Sequence, residues 1–229
     1  TMKSTLVDLK QAIKGFIVMS LDLDKMYGSF LTNQVPALWS TVGFESLKTL
    51  GSWVQDLAHR VTFMRKWLVN GQPPAFDLPV FFFPQGFMTG TLQTYARKYM
   101  VAIDTLQFKY NVLNDCEPED IVEGPEDGVF CYGLWLEGAR WDHDEQLLQV
   151  SVPGEMYMQL PPIHFQPAVN HKTAPTDYAC PVYKTAVRKG VLSTTGMSTN
   201  FVVAVELPTD QNPDVWVLYG VAALCCLTD

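Results

Sequence analysis

The sequence is short of almost everything that announces bond-making chemistry. It has four histidines in 229 residues. No GxGxxG, HExxH or GxSxG occurs, which removes the commonest signatures of dinucleotide binding, zinc hydrolysis and serine hydrolysis. His59, His164 and His171 stand without an evident triad partner, and none of the five cysteines has a recognisable activating base nearby in sequence. The cysteines show no CxxC spacing, are odd in number, and include the neighbours Cys225 and Cys226. A reducing compartment with unbridged thiols is therefore expected. The longest apolar run, WVLYGVAALCCL from Trp216 to Leu227, falls short of the roughly 20 residues that span a bilayer. Met2 is followed by an amphipathic pattern rather than a basic start and an apolar block, so no secretory signal is expected. Thr1 ahead of Met2 reads as an expression remnant or the cut edge of something longer.

Apolar residues make up 48% and charged ones 17%, the balance of a globular protein able to bury a core. The net charge of −8 is unevenly spread. Residues 1–115 hold 11 Lys+Arg against 8 Asp+Glu, whereas residues 116–229 hold 5 against 16. A half that acidic repels nucleic acid and anionic lipid, so neither is an expected partner.

Two long helices are legible from periodicity. Leu6, Leu9, Ile13, Phe16, Ser20, Leu23, Tyr27 and Phe30 recur every three or four residues, with only Ser20 polar; Leu47, Leu50, Val54, Leu57, Val61, Met64 and Leu68 repeat the rhythm. Each run lasts about three heptads with flanking aromatics, which favours intramolecular packing over a coiled-coil dimer. Pro36 and the NGQPP turn at residues 70–74 close these segments.

After about Thr105 the texture changes. LQFKYNVL alternates as a strand does, and the acidic linker NDCEPEDIVEGPEDG follows. Then come VFCYGLWLEG, YMQLPPIHFQPA, YACPVYKTAV, VLSTTG, NFVVAVELP and WVLYGVAALCCL, punctuated by Pro, Gly, Asn and Asp. The expected fold class is α+β: a helical part over 1–104, then an antiparallel sheet or small barrel over 105–229. PVYKTAV-RKG-VLSTTG reads as a hairpin with Gly190 at the left-handed position.

Between the two textures lies VFFFPQGFMTGTLQTYARKY, Val80 to Tyr99. Pro84 suits the first turn of a helix, and Arg97 and Lys98 suit its C-terminal end, where cations meet the dipole. The expectation is a core element: Phe81, Phe82 and Phe83 buried, with Gly86 and Gly90 allowing close backbone approach. On that reading Phe82→Asp costs the fold.

Two clusters invite a chemical reading. WDHDE, Trp141 to Glu145, crowds three carboxylates around His143. Strand alternation leaves only Asp142 and Asp144 on one side, and no second group completes a metal set, so a solvated loop is expected. Lys184, Arg188 and Lys189 stand beside Ser193, Thr194 and Thr195, but a phosphate loop needs its Lys after the second Gly at a helix mouth. This basic island in an acidic half is instead a candidate docking point for a carboxylate-rich neighbour. No catalytic, cofactor-binding or metal-ligating residue is assigned.

The segments FFFPQGFMTGTLQTYARKY, PEDGVFCYGLWLEGARWD, CPVYKT, RKGVLSTTG, STNFV and YGVAALCCL resemble, in order, the C-terminal domain of dynein heavy chains. KGFIVMS and LGSWVQDLAHRVTFMRKW match as well, so the resemblance covers nearly the whole sequence. The YKT…RKG…LSTTG…STN pattern is similar to axonemal rather than cytoplasmic members, and FFFPQGF to inner-arm members. Two places depart from the family. Met197 stands where His is common, so no role for that His carries over. DLPVFFF replaces the usual Trp-x-x-Gly approach to the aromatic block.

The resemblance implies a helical part and an incomplete β-barrel lying across the AAA+ ring of a minus-end-directed microtubule motor, bracing it and modulating its output. It implies no cofactor and no catalysis by this domain, with ATP hydrolysis and microtubule binding elsewhere in the heavy chain. The implied partners are ring modules of the same polypeptide and, through the motor, other dynein subunits and the microtubule, in the axoneme of a cilium or flagellum. Arg97, Lys98, Lys184, Arg188 and Lys189 are the expected ring or partner interface. The alternative is a β-barrel interaction module that recruits an axonemal partner along an exposed strand edge.

Overall fold

The computed structural model describes residues 1–44, 46–188 and 199–227. By compactness the protein divides into Thr1–Met64 with its last residues, and Arg65–Cys226. This cut differs from the division by secondary-structure class, because α5 and the strands lie in the same compact unit.

The first unit holds α1 (Met2–Ile13), α2 (Leu21–Leu31), α3 (Ala37–Val42) and most of α4 (Leu50–Asn70). The single long helix expected from Leu6 to Phe30 is two helices. Gly15 takes φ +76° just past α1, and the Ser20 side chain accepts from Leu23 N at 3.3 Å. The one polar member of the stripe is thus an N-cap, with Asp22 and Asp24 in the first turn meeting the positive end of the dipole.

Leu9, Met26, Trp39 and Trp53 form the core of this unit. Phe30 meets Trp39 edge-on at 5.3 Å, and Phe44 stacks on Trp53 at 5.0 Å. The buried face of α4 carries Trp53 and Arg60, while Val54 and Val61 are exposed. The inward face is rotated by one residue from the expected stripe. Trp53 brings the larger apolar surface, and Arg60 lies 4.1 Å over the Phe44 ring and pairs with Asp56 at 3.2 Å.

The second unit begins in the last turns of α4. It contains β1 (Ala75–Asp77), a 3-10 turn over Leu78–Val80, α5 (Pro84–Tyr99), β2 (Leu106–Val112), β3 (Val129–Tyr132), β4 (Trp135–Glu137), β5 (Ala139–Asp142) and β6 (Leu147–Val150). It continues through β7 (Tyr157–Gln159), β8 (Ile163–Val169), β9 (Asp177–Thr185), β10 (Phe201–Pro208), α6 (Pro213–Tyr219) and β11 (Ala222–Cys226).

Among the described residues the strands form a four-stranded sheet ordered β1-β3-β8-β2, a five-stranded sheet ordered β10-β9-β11-β4-β7, and the hairpin β5-β6. The sheets are mixed rather than purely antiparallel. β1 runs parallel to β3, and β11 parallel to β9. No closed barrel is formed by the described strands.

The run WVLYGVAALCCL is not one strand. Asn212 caps a helix by accepting from Asp214 N at 3.0 Å, Pro213 opens it, and Gly220 at φ +67° ends it before β11. The VLSTTG limb of the expected hairpin, with Gly190, lies outside the described residues; β9 pairs with β10.

The aromatic block also differs from expectation. Phe81 is half-buried and stacks on Phe87 at 4.1 Å, but Phe82 and Phe83 are 46% and 64% exposed. Pro84 is buried and starts α5. Phe81 is extended after the Leu78–Val80 turn, and successive side chains of extended backbone point to different sides, so the three rings do not all turn inward. A Cβ on Gly86 would fall 2.4 Å from the Phe83 ring, so this glycine makes room for a side chain rather than a backbone; Gly90 faces open space.

Candidate interaction surface

The five basic residues singled out by sequence fall in two places. Arg97 and Lys98 lie in the last turn of α5, with Met100 in the left-handed conformation closing the helix. Arg97 is exposed, makes no ion pair among the described residues, and borders a shallow depression with Val101 and Ile103. Lys98 is engaged. Its Nζ donates to Asp127 Oδ1 at 2.7 Å and to the Glu126 carbonyl at 3.2 Å, while the Tyr99 hydroxyl donates to Asp127 Oδ2 at 2.7 Å. These donors hold the Asp127 carboxyl below its ordinary value, and the same bond raises Lys98.

Lys184 is in β9, with its ammonium 5.8 Å from the Phe83 ring centre. Arg188 follows that strand at φ +49°. One guanidinium nitrogen pairs with Glu137, the other donates to the Gly220 carbonyl at 2.6 Å, and the group sits 5.9 Å from the Tyr183 ring. Arg188 therefore ties β9 to β4 and to the end of α6. Lys189 lies outside the described residues.

WDHDE closes a hairpin. Asp142 ends β5, accepts from the N–H groups of Asp144 and Glu145 at 3.1 and 3.0 Å, and pairs with Arg140 at 3.1 Å. These bonds, the Glu145 N–H first, pull its carboxyl below the usual range. Among the described residues no three His, Cys, Asp or Glu side chains gather as a metal ion requires.

His171 and Thr173 both bind Glu206, at 2.7 and 2.6 Å. Because both share one carboxylate, the imidazole is not interposed between hydroxyl and acid, as nucleophile activation demands. His164 binds the Asp127 carbonyl at 2.8 Å. Burial pushes the Cys180 thiol up to about 12 and the Tyr132 phenol to about 12, and it raises Cys131 as well. Buried thiols held protonated are poor nucleophiles.

Sequence reasoning missed a cleft of about 410 Å3 in the second unit, between the end of α4, β1, α5 and the Pro125–Val129 loop. Trp67, Phe76, Phe87 and Tyr95 line it. Trp67 meets Phe76 edge-on at 5.1 Å, and Phe76 meets Phe87 at 4.8 Å. Gly128 shapes the opposite wall at φ +83°, where a Cβ would fall 2.1 Å from the Phe165 carbonyl oxygen. The acidic Gly-Pro linker was the available signal; that it folds beside α5 is a tertiary fact without a local pattern.

The class these elements define is a mixed α/β domain with solvent-facing clefts and engaged surface charges. The sequence profile of the C-terminal domain of the dynein heavy chain matches residues 1–225, and the protein belongs to that family. It is 46% identical to dynein axonemal heavy chain 6 of Homo sapiens over 99% of its own length. It is 48% identical to dynein axonemal heavy chain 1 of Rattus norvegicus over 97%, and 45% identical to dynein axonemal heavy chain 12 of Homo sapiens over 100%. The sequence spans 6%, 5% and 7% of the length of those three proteins. These relatives point to the axoneme of cilia and flagella, a cytoskeletal structure.

Proposed function

We propose that this domain is a non-catalytic brace in a ciliary or flagellar microtubule motor. It packs against the AAA+ ring of its own heavy chain and modulates the ring's output, while ATP hydrolysis and microtubule binding reside elsewhere in that heavy chain. Its β part acts as the incomplete barrel of the family.

The observation that carries this reading is the uncharged stretch Gly15–Leu21, which links α1 to α2 and ends on the first residue of α2. Phe16 is 76% exposed, Val18 88% and Leu21 80%, with Ile17 and Met19 also uncovered. Contiguous apolar surface of this kind is kept where another protein surface covers it. A module docked through such a surface makes relative motion of its neighbours more costly, which is a mechanical rather than a chemical role.

The basic residues qualify unequally as ring contacts. Arg97 is exposed and unpaired among the described residues, whereas Lys98 and Arg188 serve bonds inside the domain. In an intact motor, Phe16→Glu with Val18→Glu, and separately Arg97→Glu, are expected to change ATPase rate and microtubule gliding velocity while the isolated domain melts normally. Unchanged rates from both variants would reject the brace.

A further inference from the structure

The cleft between α5 and the Pro125–Val129 loop has two chemically distinct sides. The floor is aromatic, from Trp67, Phe76 and Phe87, with Phe76 almost fully enclosed. The hydroxyls of Thr91 and Thr94 on the α5 wall are returned to that helix's own carbonyls, Phe87 O at 3.1 Å and Gly90 O at 2.9 Å. Those two hydroxyls are therefore already engaged. Polarity concentrates on the opposite lip. Lys98 reaches that lip from the last turn of α5 to bond Asp127 and the Glu126 carbonyl, and the exposed Glu126 carboxylate makes no ion pair among the described residues.

The lip ends a segment with seven acids and no Lys or Arg between Asp115 and Asp127. The cleft's volume lies within the roughly 300–1,000 Å3 typical of ligand clefts, and an aromatic floor with a few polar groups at the mouth is their usual make-up.

We infer that this cleft binds a basic peptide segment of a partner protein, seating one aromatic or long aliphatic side chain on the Trp67–Phe76–Phe87 floor with flanking Lys or Arg facing Glu126. The floor supplies the buried anchor that dominates peptide affinity. The lip supplies charge complementarity, which selects against acidic segments and makes association sensitive to salt. This site goes beyond the brace and stands whether or not the ring contact holds.

The test uses a labelled short peptide with one Phe flanked by Lys and Arg, titrated with the whole protein and followed by fluorescence anisotropy. Saturable binding that weakens as salt is raised is expected. Glu126→Lys, at an exposed position, should weaken it about tenfold, a loss of about 1.4 kcal/mol. Thr91→Trp, which fills the cleft, should abolish it; if that variant fails to fold, Glu126→Lys and the salt series still decide. The inference is overturned by no anisotropy change at about millimolar protein, by equal binding of a Phe→Ala peptide, or by indifference to Glu126→Lys. A dimer in sedimentation that Thr91→Trp disperses would also overturn it, because a second copy would then be the occupant.

Discussion

Trp53, Trp141 and Trp216 are fully enclosed, and each indole N–H has an oxygen to meet: the Phe44 carbonyl at 3.2 Å, Asn114 Oδ1 at 2.7 Å and Thr209 Oγ1 at 2.9 Å. Enclosing a tryptophan without such a partner would leave a buried donor costing about 1–3 kcal/mol. The phenylalanines divide more sharply. Phe76 is 2% exposed and Phe82 46%, so Phe76→Ala is expected to cost about 3–5 kcal/mol and Phe82→Ala distinctly less. Urea denaturation of both variants checks the order, which reverses the expectation drawn from the FFF run alone. Asp177 supplies a pH signature. Burial pushes its carboxyl up, with the Glu206 charge adding to the effect. A folded-state value above the unfolded one means the folded protein binds the proton more tightly. The group therefore costs no stability below the unfolded value near 4, and the cost grows as pH rises through the folded value. Asp177→Asn should raise the melting temperature at pH 7, with the gain vanishing towards pH 4. The side chain is only half-buried and screened by solvent, so the gain is at most about 0.5 kcal/mol.

At the scale of elements, the caps decide where helices stop and start. Ser20→Ala removes the side-chain acceptor at the start of α2 and should cost about 1 kcal/mol, visible as faster amide exchange at Leu23 and Asp24. How much was legible follows from what each element depends on. α5 was readable because Pro84 and the Arg97–Lys98 end are local signals, and β2, β9 and β10 because alternation is local too. The break between α1 and α2 was written as Ser20 yet masked by a stripe that continued on either side of it. α6 was hidden because VLY and AALCC look alike to a hydropathy pattern, and Asn212-Pro213 and Gly220 are what separate them. The α4 stripe was read one residue out because the pattern gave an Arg no credit for a buried face, whereas Arg60 reaches the Phe44 ring and Asp56. The cleft could not be read at all, since its two walls lie about thirty residues apart in sequence.

Across the whole molecule, the two compact units differ in how much they enclose. Thr1–Met64 rests on Leu9, Met26, Trp39 and Trp53, with partly buried neighbours. Arg65–Cys226 encloses Trp141, Trp216, Phe76, Phe165 and a long series of aliphatic side chains. Small units bury a smaller fraction of their surface and are marginal on their own. Native-state hydrogen exchange should therefore show amides of α1, α2 and α3 opening at lower free energy than those of β9 and β11. Equal protection throughout would mean that the helical unit draws its stability from a source other than its own core.

The order of strands in the larger sheet has a further consequence for how the polypeptide is made. β11 follows every other strand of that sheet in sequence yet lies between β9 and β4, joining a pair on one side to a pair on the other. A growing polypeptide must therefore keep two unfinished edges apart from each other, and from strangers, until Ala222–Cys226 has left the ribosome. A premature stop a few codons upstream of Ala222 would not trim a margin; it would remove the keystone strand whose backbone hydrogen bonds hold β9 on one side and β4 on the other.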